Sequence, residues 1–184
     1  MSVTIAKWTL DEYHRMIEVG LLDDRRVELL NGEIIEMSPE GEPHAYYSTE
    51  ASDYLKALLG DRVTIRQAKP ITLPIGNSEP EPDVAIVQPL GREYLQHHPY
   101  PENIFWLIEF SNTSLSKDTE VKRKTYAAAN ISEYWVMDLK NQRLNVFRDP
   151  VNGNYRSEVV FTTGEICPLA FPGISVSVQR LLEG

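Results

Sequence analysis

The stretch Ile104-Phe-Trp-Leu-Ile108 is an unbroken apolar run, and the acidic residue Glu109 follows it directly. A continuous apolar run of this length is typical of a central strand that is covered on both faces of its sheet. A carboxylate buried at the end of such a strand is costly unless a metal ion, a cationic side chain or hydrogen bonds compensate it. Glu109 is therefore the first candidate for a functional residue.

A second acid and a lysine accompany this strand in the sequence. Asp83 precedes the apolar run Val84–Val87, and Lys122 lies in a stretch, residues 118–129, whose composition predicts a helix. Proteins usually hold Mg²⁺ and Mn²⁺ with one or two carboxylates, water and substrate phosphate, and such an ion activates water near neutral pH. The three residue types therefore fit a metal-dependent hydrolytic site, with Asp83 and Glu109 as the acids.

A structural interpretation of the same residues is equally open at this point. In that interpretation Asp83 caps a strand, Glu109 pairs with Lys122, and no metal binds. Residue types alone do not separate the two, since a buried ion pair also compensates a buried carboxylate.

The remaining pattern predicts one mixed α+β domain over residues 1–184. Asn31-Gly32 between two apolar runs is a strong hairpin signal. Helices are predicted from the capping box at Thr9 to about Val19 and over His44–Leu59. Strands are predicted at residues 27–30, 33–37, 63–65, 71–73, 84–87, 104–109, 134–139, 144–148 and 155–161, with a short final element near residues 172–173. Strands before and after a central helix favour a central mixed sheet flanked by helices.

Composition places the chain among ordinary globular proteins, at 42% hydrophobic and 24% charged residues. No apolar stretch approaches the ~20 residues that cross a bilayer, and the first residues lack the apolar core of a signal peptide, so no membrane association is expected. A single cysteine, Cys167, excludes an internal disulfide and fits a reducing compartment. These features predict a cytoplasmic protein.

The charge balance bears on possible partners. The 18 basic and 27 acidic residues give a net charge of −9, which argues mildly against a general nucleic-acid binder. The basic residues nevertheless cluster at positions 62–69 and 117–124, which allows a local basic rim on an acidic body. Nuclease chemistry is therefore not excluded.

The order and spacing of several short stretches resemble the PD-(D/E)xK nuclease superfamily, and more closely a large bacterial family of restriction-endonuclease-like proteins within it. The matching stretches are Glu28-Leu-Leu-Asn-Gly-Glu-Ile-Ile-Glu-Met-Ser-Pro39 leading to His44, Glu81-Pro-Asp-Val-Ala-Ile-Val87, residues 109–118, residues 122–126 and Glu133-Tyr-Trp-Val-Met-Asp138. Together they run from about residue 27 to residue 138, with a looser match to residue 173. Each piece is weak alone, but their occurrence in this order and at the spacing of the family is fairly specific.

The resemblance implies a restriction-endonuclease-like core and a metal site for Mg²⁺ or Mn²⁺. It makes Asp83 and Glu109 the metal ligands, with the backbone carbonyl of Phe110 as a third. One position departs from the superfamily, because Ser111 stands where a lysine normally follows the acid. The close family is similar in this respect and has its lysine on the following helix, where Lys122 matches.

The resemblance also implies roles for two upstream residues. Glu28 would complete the outer coordination of the metal, and His44 would bind the metal, its water or a phosphate. The alternatives are an exposed hairpin carboxylate and a histidine near a helix N-terminus. Asp118 is interpreted as a helix-start or lysine-orienting residue rather than a ligand.

These expectations combine into a Mg²⁺-dependent deoxyribonuclease in which a metal held by Asp83 and Glu109 activates water and Lys122 assists. DNA is the expected substrate and a homodimer the expected assembly. The alternative is a non-catalytic binding or assembly protein with a nuclease fold, dimeric through its C-terminal strands. Ser111 and the acidic charge balance favour the alternative, whereas the intact set of two acids and a lysine favours the enzyme.

Overall fold

The structure of the protein, a computed structural model, describes residues 4–111 and 117–184, without the side chains of residues 117–119. Its elements in chain order are α1 (Leu10–Glu18), β1 (Val27–Leu30), β2 (Glu33–Glu36), α2 (Glu42–Leu59), β3 (Thr64–Gln67), β4 (Val84–Val87), β5 (Ile104–Ser111), α3 (Lys117–Ala128), β6 (Glu133–Asp138), β7 (Arg143–Val151), β8 (Asn154–Phe161), β9 (Glu165–Ile166), β10 (Val176–Ser177) and α4 (Val178–Glu183). Short 3₁₀ turns span Gly60–Arg62, Gly91–Leu95 and Pro101–Asn103.

A six-stranded sheet with the order β3-β4-β5-β6-β7-β8 forms the centre of the fold. Strands β5 and β6 are parallel, and every other neighbouring pair in this sheet is antiparallel. Two parallel strands need a crossover connection between them, and α3 lies in the connection from β5 to β6. The predicted α+β class, with a mixed central sheet flanked by helices, is confirmed.

The helices cover the sheet on both faces. On one face, Leu55 and Leu59 of α2 join α4 in a core with Trp106 and Ile108 of β5. On the other face, α3 contributes to a core that includes Leu107. Strand β5 is therefore buried on both sides, which explains its unbroken apolar sequence.

Local sequence signals account for the ends of several elements. Thr9 and Glu12 form the predicted capping box at the start of α1. The hairpin of β1 and β2 turns at Asn31 and Gly32, which have φ values of 51° and 77°, as a tight two-residue turn requires. At Gly32 a Cβ atom would also lie 2.8 Å from Cβ of Lys7, so this position excludes larger residues.

The predicted strand at Ile71–Leu73 is wrong. Ile71 and Leu73 are fully buried, but only Leu73 forms a bridge, to Ser78. The backbone N–H groups of Ile71 and Thr72 donate instead to the carbonyls of Pro80 and Pro99 in neighbouring loops. An apolar run that is buried for packing has the same composition as a strand.

None of the helices in the two described ranges combines the length and the apolar character that a bilayer crossing requires.

Candidate active site

The register of β4 and β5 brings the two predicted metal ligands together. These strands are antiparallel, and Val84 pairs with Ile108. One residue further along, Asp83 stands opposite Glu109, at the end where β5 leaves the core. Directly opposite residues of an antiparallel pair have Cβ atoms about 5 Å apart on the same face. Two acids separated by 26 positions in the sequence thus become neighbours.

Asp83 is held by one of its two oxygens. Oδ2 accepts hydrogen bonds from the backbone N–H of Phe110 at 2.7 Å and from Nε2 of His44 at 2.8 Å. Within the described residues, Oδ1 accepts no hydrogen bond. The Asp83 carboxylate is therefore oriented while one oxygen stays open to a ligand.

His44 lies in the first turns of α2 and joins two carboxylates. Its Nε2 contacts Asp83, its Nδ1 contacts Glu40, and its ring meets Phe110 edge-on at 5.9 Å between ring centroids. Burial lowers the pKa of His44, but the hydrogen bonds and charges of Asp83 and Glu40 outweigh burial and raise the pKa to about 9. His44 is therefore protonated at neutral pH, and both ring nitrogens act as donors.

Lys122 of α3 forms ion pairs with Glu28 and Glu109. We call these three residues, together with the neighbouring Asp83, the acid–lysine cluster. Nζ of Lys122 lies 3.2 Å from Oε1 of Glu109, 3.3 Å from Oε2 of Glu28 and 3.3 Å from the carbonyl of Glu81. An ammonium has three donors, so these contacts use all of them. Glu28 also accepts from the backbone N–H of Glu81 at 3.0 Å.

Tyr126, one helical turn after Lys122, completes the contacts of Glu109. Its hydroxyl donates to Oε1 of Glu109 at 2.9 Å. Burial, followed by the charge of Glu109, raises the pKa of Tyr126 well above its usual value, so the phenol stays a donor. Both contacts of Glu109 therefore converge on Oε1, and Oε2 has no hydrogen bond with the described residues.

The cluster carries more negative charge than its lysine balances. Burial raises the pKa of the Glu109 carboxyl; Lys122 opposes this, while the charges of Asp83 and Glu28 add to it. Burial alone would lower the pKa of Lys122, but Glu109, Glu28 and Asp83 outweigh it and raise that pKa. Lys122 thus keeps its proton, and the surplus negative charge acts most strongly on Glu109.

The oxygen atoms of the cluster fit a hard divalent cation. Asp83, Glu109 and Glu28 each keep one carboxylate oxygen without a hydrogen bond from the described residues, and none of these oxygens is among the buried, unpartnered polar atoms. Carboxylates with access to water are the ligands that Mg²⁺ and Mn²⁺ prefer. In the described part of the chain, no three His, Cys, Asp or Glu side chains are grouped closely enough to enclose an ion. The donor set therefore suits an ion that retains water rather than a closed cage.

The sequence candidates meet at this end of the sheet in two linked groups. His44, Asp83 and the backbone of Phe110 form one group, and Glu28, Glu109 and Lys122 form the other. Glu28 is buried, so the alternative of an exposed hairpin carboxylate is wrong. The Phe110 carbonyl as a metal ligand stays a prediction, and the side chain of Asp118 lies outside the described residues.

Sequence reasoning missed three partners of these residues. Tyr126 has a weak signal, because it lies four positions after Lys122 on the same helical face. Glu40 has a similar signal, four positions before His44. Glu81 acts through its backbone N–H and carbonyl, and a backbone contact leaves no trace in residue type.

Comparisons with known proteins identify the family of the chain and agree with its fold. The model of the Uma2 family, described as "Putative restriction endonuclease", matches residues 10–179. Among solved structures, the chain is similar to a crystal structure of a "putative nuclease" from Anabaena variabilis, with a TM-score of 0.75 and 18% sequence identity over 95% of this chain and 97% of that chain. At that identity the likeness shows the fold alone. A search of curated proteins gave no match. Because the family model spans almost all of the sequence, the chain belongs to the Uma2 family.

Proposed function

We propose that the protein is a metal-dependent nuclease that hydrolyses phosphodiester bonds of DNA at the acid–lysine cluster. The observation that carries the proposal is the surplus of carboxylate charge at this cluster, with one open oxygen on each of Asp83 and Glu109. Membership of the Uma2 family supports a nuclease in general.

In this proposal, Asp83 and Glu109 hold Mg²⁺ or Mn²⁺, with the carbonyl of Phe110 as a third ligand. The bound ion would polarise a phosphoryl oxygen and lower the pKa of a water molecule. The protein contributes fixed orientations: His44 and the Phe110 N–H hold Asp83, and Tyr126 holds Glu109. Preorganised groups of this kind need no rearrangement during the reaction.

The two cationic side chains have separate tasks. Glu28 and the Glu81 carbonyl hold the ammonium of Lys122 beside Glu109, where it orients water or stabilises charge that develops on the phosphate. His44 is protonated and its side chain is 19% exposed, so it suits a phosphate oxygen of the bound strand. We assign it to phosphate binding rather than to the metal, since neither ring nitrogen has a free lone pair when both donate.

A second candidate function is a non-catalytic binding or assembly protein. It is favoured by Ser111 at the usual position of the lysine and by the full occupation of the Lys122 donors within the cluster. In that case Lys122 acts only as a counterion. Dimer formation and cytoplasmic location stay predictions under either function.

The test is cleavage of linear, circular and single-stranded DNA, and of RNA, with Mg²⁺ or Mn²⁺ and with chelator. We expect metal-dependent cleavage of DNA that is lost in Asp83→Asn and Glu109→Gln and reduced about a hundredfold or more in Lys122→Met. The matched control is Glu102→Gln, which removes an exposed carboxylate just before β5. A pure parent protein that cleaves none of these substrates, or variants that cleave like the parent, would support the non-catalytic candidate.

A further inference from the structure

A cavity of about 500 Å³ lies between α1 and the segment of residues 94–100, outside the acid–lysine cluster. Its size falls within the range of small-molecule binding sites, roughly 300–1,000 Å³. The side chains that matter for its chemistry are those of His14, Thr72, Glu79, Tyr94, His97 and Tyr100. The function proposed above makes no use of any of them.

Glu79 supplies a buried carboxylate to this cavity and is only 4% exposed. Its Oε2 accepts from the hydroxyl of Thr72 at 2.8 Å, while Nε2 of His14 lies 3.0 and 2.9 Å from its two oxygens. A carboxylate has about four acceptor positions, so two donors leave capacity for another. The side chain of His14 is 45% exposed, which makes it the partner that can move aside.

Three aromatic rings form a wall of the same cavity. His97 stacks on Tyr100 with 4.7 Å between ring centroids, and Tyr94 meets His97 edge-on at 6.1 Å. Hydrogen bonds hold two of these rings in place. Nδ1 of His97 donates to the backbone carbonyl of His98, and the Tyr94 hydroxyl donates to the backbone carbonyl of Gln88. Fixed aromatic rings of this kind are the usual platforms on which proteins stack nucleic-acid bases.

The cavity continues toward the acid–lysine cluster. A second cavity of about 320 Å³ shares Glu79 and His98 with the first and extends to Glu81, whose carbonyl contacts Lys122. Asp83 lies four positions after Glu79, a distance of at most about 14 Å along an extended chain. A ligand in the first cavity would therefore lie close to a phosphate at the cluster.

Basic side chains accompany this path in a chain with a net charge of −9. Arg25 lines the second cavity together with the acidic residues Asp23, Glu79 and Glu81, and the charges of Arg26 and Lys69 act on Glu81. Arg66 lies 3.4 Å from Nδ1 of His98 at the boundary of the two cavities. Such residues suit an anionic strand that crosses from one cavity to the cluster.

From these contacts we infer that the larger cavity binds one base of the nucleic-acid substrate, next to the phosphate that is cleaved, and that it prefers a base with an exocyclic amino group. Glu79 would accept a hydrogen bond from the amino group of cytosine, adenine or guanine, while the aromatic wall stacks on the base. Thymine and uracil present a carbonyl oxygen at the same edge, which a carboxylate repels. A base reaches such a cavity only when it is unpaired, so the substrate is single-stranded or locally opened nucleic acid. This inference rests on the proposed function.

The test measures binding without cleavage. The probes are the 5′-phosphorylated dinucleotides of deoxycytidine and of thymidine, titrated in chelator and followed by the backbone amide signals of Thr72, Glu79 and His98. We expect saturable shifts, with the cytidine dinucleotide bound at least about fivefold more tightly than the thymidine one. Glu79→Gln should remove this preference, and its control, Glu18→Gln, which changes an exposed carboxylate at the rim, should keep it.

A second variant keeps the inference testable if Glu79→Gln does not fold. Leu95 is 71% exposed at the cavity, so Leu95→Glu should leave the fold unchanged and weaken both dinucleotides through charge repulsion. The inference is overturned by an absence of saturable shifts, by equal affinity for the two dinucleotides, or by binding that is insensitive to Leu95→Glu.

The outcome is separate from that of the proposed function. If DNA is cleaved but no base preference appears, the cavity assignment alone is wrong. If selective binding appears and persists in Asp83→Asn without any cleavage by the parent, the cavity assignment stands while the nuclease proposal fails.

Discussion

Two buried glutamates in neighbouring strands, Glu133 of β6 and Glu109 of β5, differ in how their oxygens are used. Oε1 of Glu133 accepts from Nε and a terminal nitrogen of Arg148 at 2.9 and 2.6 Å and from Nε1 of Trp135 at 2.8 Å. Its Oε2 accepts from the backbone N–H of Leu169 at 2.7 Å. Glu109 shares one lysine with another acid and keeps one oxygen without a hydrogen bond from the described residues.

The difference separates a carboxylate that stabilises the fold from one that suits a ligand. Glu133 has its own arginine and joins the segment after β9 to the sheet, so its charge is balanced locally. Glu109 lies among acids that outnumber the nearby ammonium, and its pKa is raised by burial despite Lys122. Both residues are buried, so burial does not distinguish them. They differ in the number of hydrogen-bond donors and in the balance of charge around each carboxylate.

The largest expected effect comes from exchanging each glutamate for glutamine, which keeps the volume. Glu133→Gln should lose about 3 kcal/mol of unfolding free energy, because it weakens the charge-assisted hydrogen bonds that the buried carboxylate accepts from the half-buried Arg148, from Trp135 and from the Leu169 N–H. Glu109→Gln should lose much less or gain stability in chelator, because it relieves repulsion from Asp83 and Glu28. Urea unfolding of both variants measures the difference. Equal losses would contradict the distinction between the two carboxylates.

A smaller effect is expected from adding a metal ion. At a hundredfold excess over its dissociation constant, Mg²⁺ or Mn²⁺ should stabilise the parent by about 2.7 kcal/mol, a rise in Tm of roughly 5–11 °C. The rise should vanish in Asp83→Asn and Glu109→Gln, which remove ligands, and should persist in Lys122→Met, which removes none. Thermal unfolding with metal and with chelator provides the measurement.

The control for this experiment is again Glu133. Glu133→Gln should melt at a lower temperature but show the same metal-induced rise as the parent, since Glu133 lies outside the cluster. If the Tm of the parent protein does not rise with metal at neutral pH, the non-catalytic candidate is favoured. The open oxygen of Glu109 would then have no role in metal binding.

The sequence predicted most of the sheet, because its strongest signals are local. The apolar run before Glu109 became β5, and Asn31-Gly32 became the turn between β1 and β2. Ile71–Leu73 failed because its burial comes from packing against loops rather than from strand pairing. The two-residue strands β9 and β10 were missed because their pairing depends on a long-range contact and not on a pattern within either segment.

For the candidate site, residue identities were predictable and contacts were not. The order of acids and lysine pointed to Asp83, Glu109 and Lys122, and β-strand register then accounts for the approach of the acids. The burial of Glu28 follows from packing around the first hairpin, which its residue type does not reveal. The role of Glu81 lies wholly in backbone atoms, and a sequence pattern carries no information on which carbonyl faces a lysine.

The smallest expected effect tests whether Tyr126 positions Glu109. Tyr126→Phe removes the hydroxyl that donates to Oε1 of Glu109 and leaves Lys122 on the same oxygen. Loss of a residue that orients a metal ligand typically weakens metal binding about tenfold, so the Mn²⁺ dissociation constant should rise by that factor while cleavage at saturating Mn²⁺ stays near the parent's.

The chain offers a matched control in Tyr134, whose buried hydroxyl has no hydrogen-bond partner among the described residues and whose ring contacts that of Tyr126 at 5.1 Å. Tyr134→Phe should leave Mn²⁺ affinity unchanged and fold stability equal or higher, because it removes an unsatisfied polar group. If calorimetric titration shows the same loss of affinity in both variants, the loss comes from repacking of the aromatic core, and Glu109 is oriented by Lys122 alone.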